Sequence, residues 1–182
     1  MTMNLPGPAL LERACRGWPL IATGLPVLDS VVELVGELGA LHRDRLMEVR
    51  LDSIDRRRIM SAGALDTLVT CELPPPGRGA RAHTETISSV VDRMASWCAV
   101  LHTPVATCLT ASEVAFARQR VAEIRRGYGA LREELVLGMS RLPQRTTLAP
   151  VSFAGLDVIL RRAKSIELHD QDRTHCHRLS EA

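Results

Sequence analysis

Aromatic residues are scarce in this 182-residue chain: two Trp, one Tyr and two Phe make up 3% of it. That excludes the stacking platforms on which single-stranded nucleic acids are bound. Lysine is scarcer still, Lys164 standing against 22 arginines. Any anion bound by the chain would therefore meet planar guanidinium forks rather than point charges. Neither sign of charge is in real excess, since 23 basic and 21 acidic residues leave a net +2. Nucleic-acid binders concentrate a larger basic excess on one face. Here the signs alternate, and the run Arg56-Arg57-Arg58 is diluted by Asp52 and Asp55. Nucleic acid is not an expected partner.

No run of about 18 uncharged apolar residues occurs, so no membrane-spanning helix is expected. The first residues lack a basic stretch followed by an apolar one, which argues against a secretory signal. Five cysteines at irregular spacing (Cys15, Cys71, Cys98, Cys108, Cys176) read as reduced thiols of a cytoplasmic protein. Cys71 and Cys98 fall on helical stretches and are expected as small core residues. A P-loop, a nucleotide-binding glycine fingerprint and a Gly-x-Ser-x-Gly elbow are all missing. The Glu-x-x-His pairs of a di-iron bundle are missing too. His169, Asp170, Asp172, His175, Cys176 and His177 crowd the tail, but their spacing matches no zinc pattern. Neither a metal nor a cofactor is expected.

What is present is helical periodicity. Thr110 and Glu113 have capping-box spacing, and Val114, Ala117, Val121, Ile124, Tyr128, Leu131, Leu135 and Gly138 follow in a three-four pattern. A helix is expected from about 111 to 141, closed by Pro143. A second stripe, Ile87, Val90, Met94, Trp97 and Leu101, ends before Pro104 and is expected to start near His83 and Thr84, with Thr84 as cap. Pro26 suits a first turn, with Leu28, Val31, Val35, Leu38, His42 and Arg45 behind it. Another helix starts near Asp52 and carries Ile54, Ile59, Ala62, Leu65 and Val69 until Pro74-Pro75-Pro76-Gly77 stops it. No stretch alternates convincingly enough for a strand. The expected fold is all-α, a four-helix-type bundle with additional short helices near both termini. It forms one domain over 1–182, with its core at about 26–143. Short helices are expected at 9–16 and at about 154–167, and frayed ends at 1–8 and 169–182.

Polar residues on faces that should be apolar are the functional candidates. His42 and Arg45 continue the Leu38 seam, with Glu37 one position off it, and Asp55 and Arg58 are spaced to pair on one face. Arg81, His83, Glu85, Asp92 and Arg93 follow the proline turn. Tyr128 lies in the longest seam between Gly127 and Gly129, which suggests close approach of a helix or ligand there. If the helices are neighbours, His42, His83, Glu85, Asp92 and Tyr128 surround one polar pocket. His83 and Glu85 are then the catalytic candidates for acid–base chemistry, and His42, Arg45, Asp92, Arg93 and Tyr128 the substrate-binding ones. The competing view makes the seam histidine a hydrogen-bonded core residue and the Arg–Asp pairs interhelical clamps.

The stretches ELGALHRDRL, IDRRRIMSAGALDTLV, ELPPPGRGARAHTETISSVVDRM and YGALREELVLGMSRLP, over roughly residues 34–143, resemble the bacterial domain of unknown function 4254 in its high-GC Gram-positive branch. The resemblance implies an α-helical protein with His42, Asp66, His83, Thr84, Glu85, Asp92 and Arg93 at motif positions. It implies no particular activity. One departure is Leu68, where relatives often carry a tryptophan two positions after the aspartate.

The leading expectation is a cytoplasmic protein that binds a small anionic or polar metabolite in a bundle pocket, as a binder or a cofactor-independent acid–base enzyme. The alternative is a helical homodimeric interaction module with no catalytic activity. A homodimer is expected in either case, because the apolar seams and extra short helices exceed what one bundle buries.

Overall fold

The protein was analysed as a computed structural model that describes residues 5–19, 21–47 and 51–143. The expected helix at 154–167 and the histidine-rich tail lie outside the described residues. Five α-helices account for most of the rest: α1 (Pro8–Cys15), α2 (Pro26–Met47), α3 (Leu51–Glu72), α4 (Ile87–His102) and α5 (Ala111–Val136). A 3₁₀ turn at Pro104–Cys108 joins the last two. The fold is all-α, and α4 is its axis, packing against each of the other four helices. From Ile87 to Val100 only Ser89 and Arg93 escape full burial. A helix apolar on nearly every side belongs in the middle of a bundle. The short α1 packs on α2, α4 and α5 and fills the space between α2 and α5.

The apolar stripes explain which faces turn inward. Val31, Val35, Leu38 and Leu41 of α2, Leu65 and Val69 of α3, and Ala117, Val121, Tyr128, Leu131 and Leu135 of α5 are all buried. Ile59 breaks its expected stripe and stands exposed, while Arg58 takes the buried place. Stepping four residues from Ile54 reaches position 58 and then 62, so residue 59 is rotated by about 100° away from the core.

Close approach depends on two glycines. A Cβ at Gly39 would lie 2.3 Å from the Cys15 carbonyl oxygen, so α1 and α2 touch backbone to backbone there. At Gly129 a Cβ would meet Pro8 Cγ at 3.3 Å. The neighbour suspected at Tyr128 is thus the N-terminal segment: the tyrosine hydroxyl donates to the Pro6 carbonyl at 2.8 Å, and Arg132 Nε donates to Leu5 O at 3.1 Å. Leu5 and Pro6 are buried, so the chain is docked from residue 5 rather than frayed to residue 8.

Two helix boundaries differ from expectation, both for reasons of capping. The Thr110–Glu113 capping box forms in both directions, but α5 stops at Val136. Gly138 adopts φ +64°, its N–H reaches Leu135 O, and the Met139 N–H reaches Glu134 O. That is the Schellman pattern, which ends a helix with glycine in the left-handed region. α4 starts later than expected. Its cap is Thr86, whose hydroxyl accepts from Ser89 N at 3.2 Å.

The residues released from the end of the expected 111–141 helix pair with the segment that precedes α4. β1 (Arg81–Ala82) and β2 (Ser140–Arg141) form a two-residue parallel ladder, with Arg81 opposite Ser140. The expectation of no strand therefore fails at this one small bridge. Gly77 N–H to Gly138 O and His83 N–H to Arg141 O extend the contact on either side.

Candidate functional site

The candidate polar residues divide into three groups. The first is a chain of polar side chains across three helices, buried at His42, Asp92 and Arg58. His42 Nε2 of α2 lies 2.8 Å from Asp92 Oδ1 of α4, and Arg58 Nε of α3 lies 3.1 Å from the same oxygen. The side chains are 3%, 5% and 7% exposed for His42, Asp92 and Arg58. Arg58 Nη1 then donates to Asp55 Oδ1 at 2.6 Å, and Arg45 Nε stands 3.5 Å from that atom. With both oppositely charged partners in place, the buried carboxylate and guanidinium satisfy one another. Glu37 does not join this chain; it faces Arg57 at 3.6 Å on the surface.

The second group lies around the start of α4. Glu85 and Arg93 form a two-pronged ion pair, at 2.7 Å on each side, with both side chains about one-third exposed. His83 Nδ1 sits 2.9 Å from the Glu85 carbonyl and 3.1 Å from the Glu85 N–H, so its tautomer decides which of the two contacts forms. The Thr84 expected as a cap is exposed and outside the helix. Asp66, from α3, reaches over instead. Its carboxylate accepts from Ser88 N at 2.9 Å and from Ser88 Oγ at 2.7 Å. It thus satisfies a free amide of α4 and places negative charge at the positive end of its dipole.

Tyr128 forms the third group alone. It is buried against Pro6, and burial pushes its hydroxyl pKa up. Asp92 and Arg93, adjacent on α4, have turned to different partners. The expected residues therefore do not meet around one pocket; the structure brings together His42 with Asp92, and Glu85 with Arg93 and His83.

A cavity of about 590 Å³ does exist, bounded by other residues. One wall is the C-terminal half of α3, with Asp66, Thr67, Thr70 and Cys71. Leu73 and Pro74–Pro76 form the turn beside it, Leu135 the floor from α5, and Ser140 to Pro143 the far side. Thr86 joins the HTET segment to its edge. The volume falls within the range of small-molecule sites, and a largely apolar lining with a few polar groups is their usual character. Arg141 brings an exposed positive charge, whereas the Asp66 carboxylate is already turned to Ser88. Several hydroxyls are also engaged: Thr70 Oγ1 donates to Asp66 O at 2.7 Å and Ser140 Oγ to Glu134 Oε2 at 2.5 Å.

Sequence reasoning missed most of these walls. Cys71, expected in the core, is exposed on the cavity wall; among the described residues the helices packed on α3 are α2 and α4. Arg141 was hidden in the expected helix 111–141, and only the Gly138 stop could have signalled its release. Cys98 is buried as expected, and burial together with the nearby Glu12 carboxylate pushes its thiol up to about 12. Cys15, buried beside it, is raised for the same principal reason. Burial thus favours the protonated thiol at both positions, the opposite of what a thiolate nucleophile needs. Among the described residues no group of three or more His, Cys, Asp or Glu side chains could hold a metal ion. No helix among them is long and apolar enough to cross a membrane.

No protein-family model, no curated protein and no solved structure matches this chain.

Proposed function

We propose that this chain binds a small anionic or polar metabolite in the cavity between the end of α3, the proline turn and β2. The carrying observation is the cavity itself, about 590 Å³, with Arg141 as counter-charge at its edge and threonine and serine hydroxyls along its polar side. A guanidinium fork suits carboxylate or phosphate groups. Neither His83 nor Glu85 lines the cavity, so binding, rather than acid–base catalysis by these two, is the reading supported best. Their role in it is indirect: the His83 N–H holds Arg141 O at 2.9 Å, and Glu85 is tied to Arg93. The resemblance to the domain of unknown function 4254 family remains part of this reading on its motif residues alone.

A thermal-shift screen against carboxylate and phosphate metabolites tests it, run in parallel on Thr70→Trp, which fills the cavity from its exposed wall, and on Arg141→Gln. A ligand specific to the folded state raises the melting temperature according to its concentration over its Kd. A shift lost in Thr70→Trp and reduced in Arg141→Gln supports the proposal. A shift that persists unchanged in Thr70→Trp places the ligand elsewhere and overturns it.

The homodimeric interaction module has one observation in its favour, the apolar side chains beside the cavity. Leu137 and Met139 are 68% and 57% exposed. Sedimentation equilibrium of the parent and of Leu137→Lys decides between the readings. A dimer dissociated by the substitution favours the module.

A further inference from the structure

The other end of α4 carries a concentration of positive charge that the proposed cavity does not use. α1 ends there in a second Schellman turn, with Gly17 at φ +71°, its N–H on Ala14 O and the Trp18 N–H on Arg13 O. That turn sets Trp18, 49% exposed, beneath the guanidinium carbons of Arg16 at 5.2 Å and Arg13 at 5.9 Å. Arg43, from the last turns of α2, donates to Cys15 O at 3.1 Å and lies so close over Gly17 that a Cβ there would sit 2.7 Å from its Nη2. His102 closes α4, and Arg118 comes in from the first turns of α5. Burial, and after it the nearby charges of Arg16, Arg118 and Arg43, hold the His102 pKa below the usual histidine value, with Glu12 acting in the opposite direction.

Glu12 is the carboxylate of this cluster, and it is already shared between Arg16 and Arg125. Among the described residues neither Arg43 nor Arg118 has a carboxylate within ion-pair distance. Helix C-termini attract cations, and both α1 and α4 end here. Each end, however, supplies only about half a negative charge. Set against Arg13, Arg16, Arg43, Arg118 and Arg125, the two helix ends and Glu12 leave about three positive charges uncompensated. The excess sits on a chain whose net charge is only +2.

We propose that Arg16, Arg43, Arg118 and His102 form a binding site for a phosphate group, separate from the cavity at the opposite end of α4. A phosphomonoester carries about 1.5–2 negative charges near neutrality, which this excess can balance, and it offers three acceptor oxygens to guanidinium donors. The 16 residues of α4, about 24 Å of helix, run between His102 and the Thr86 edge of the cavity. An occupying phosphate adds negative charge beside His102, so it raises the pH at which that imidazole takes up its proton.

The test uses the full chain with inorganic phosphate and with phenyl phosphate, at constant ionic strength set by sodium chloride. His102 is followed by proton NMR, assigned with His102→Gln, and Trp18 by fluorescence, assigned with Trp18→Phe. Saturable binding is expected, with His102 titrating at higher pH when phosphate is present. Arg118→Gln should weaken binding at least about tenfold, as loss of a charge-assisted hydrogen bond requires. Arg118 is exposed, so this variant keeps the fold even if Arg43→Gln does not. Tighter binding of the ester supports a phosphorylated metabolite, and equal binding supports free phosphate; both uphold the site. A response matched by chloride alone, an unmoved His102 titration, or full affinity in Arg118→Gln overturns it.

Discussion

Replacing Asp92 by alanine removes the carboxylate on which His42, at 2.8 Å, and Arg58, at 3.1 Å, converge. The Arg58 side chain is 7% exposed and keeps only its 2.6 Å bond to Asp55, itself 37% exposed. Breaking a buried ion pair by deleting one partner costs about 3–5 kcal/mol, because the surviving charge stays out of water. Asp55 compensates part of that charge, which puts the expected loss near the lower end, about 3 kcal/mol. With a urea m-value of about 2 kcal/mol/M the midpoint falls by about 1.5 M, readily read by far-UV circular dichroism. The control is the triple variant His42→Leu, Arg58→Met, Asp92→Leu. Removing the whole network restores most of the loss, since apolar groups of similar size replace buried ion pairs at little cost. An Asp92→Ala midpoint within about 0.3 M of the parent would show that water reaches these groups and would refute the reasoning.

Glycine substitutions should split by environment. Gly39→Ala drives a Cβ to 2.3 Å from Cys15 O and is expected to destabilise by about 1–3 kcal/mol, outweighing alanine's better helix propensity. Gly127→Ala meets nothing within 4 Å and should instead stabilise by up to about 1 kcal/mol; urea midpoints of opposite sign check the pair. Tyr128→Phe leaves the Pro6 carbonyl without its donor and is expected to cost about 1–2 kcal/mol, with faster proteolysis ahead of α1 as a second readout. Among Cys15, Cys71 and Cys98, alkylation mapped by mass spectrometry should label Cys71 first and the other two only on unfolding. The Cys98 thiol, at about 12 in the folded chain against an ordinary 9.0, keeps its proton where the unfolded chain loses it. Stability is therefore unaffected by this group below pH 9 and falls as pH rises from 9 toward 12, which urea titrations across that range would measure.

The helices and their buried faces could be read from the chain because the signals are local. The three-four stripe from Ala117 to Leu135 and the Thr110–Glu113 box depend only on neighbours along one helix. The Asp55–Arg58 pair belongs to the same class, being three residues apart on one turn. Boundaries were harder where two caps competed. Thr84 is the expected cap of α4, whereas the observed cap is Thr86, with the Asp66 carboxylate, brought from a different helix, on Ser88 beside it. Gly138 carries the stop signal for α5, yet an apolar stripe that continues through it outweighs a single glycine when only periodicity is read.

Which residues meet was decided by tertiary structure. Composition and periodicity determined an all-α chain, its buried stripes and the choice of His42, Asp92, Glu85 and Arg93 as unusual polar residues. Only packing around α4 joined His42 to Asp92 through space, sent Tyr128 to Pro6, and left the exposed side of α3 facing β2 as a cavity wall. Only packing, too, gathered Arg16, Arg43 and Arg118 at His102 from four separate helices or turns. The physical reason is one of range. Helical periodicity acts over three or four residues, whereas a site is made where burial brings distant segments together, as where the short α1 packs on α2, α4 and α5.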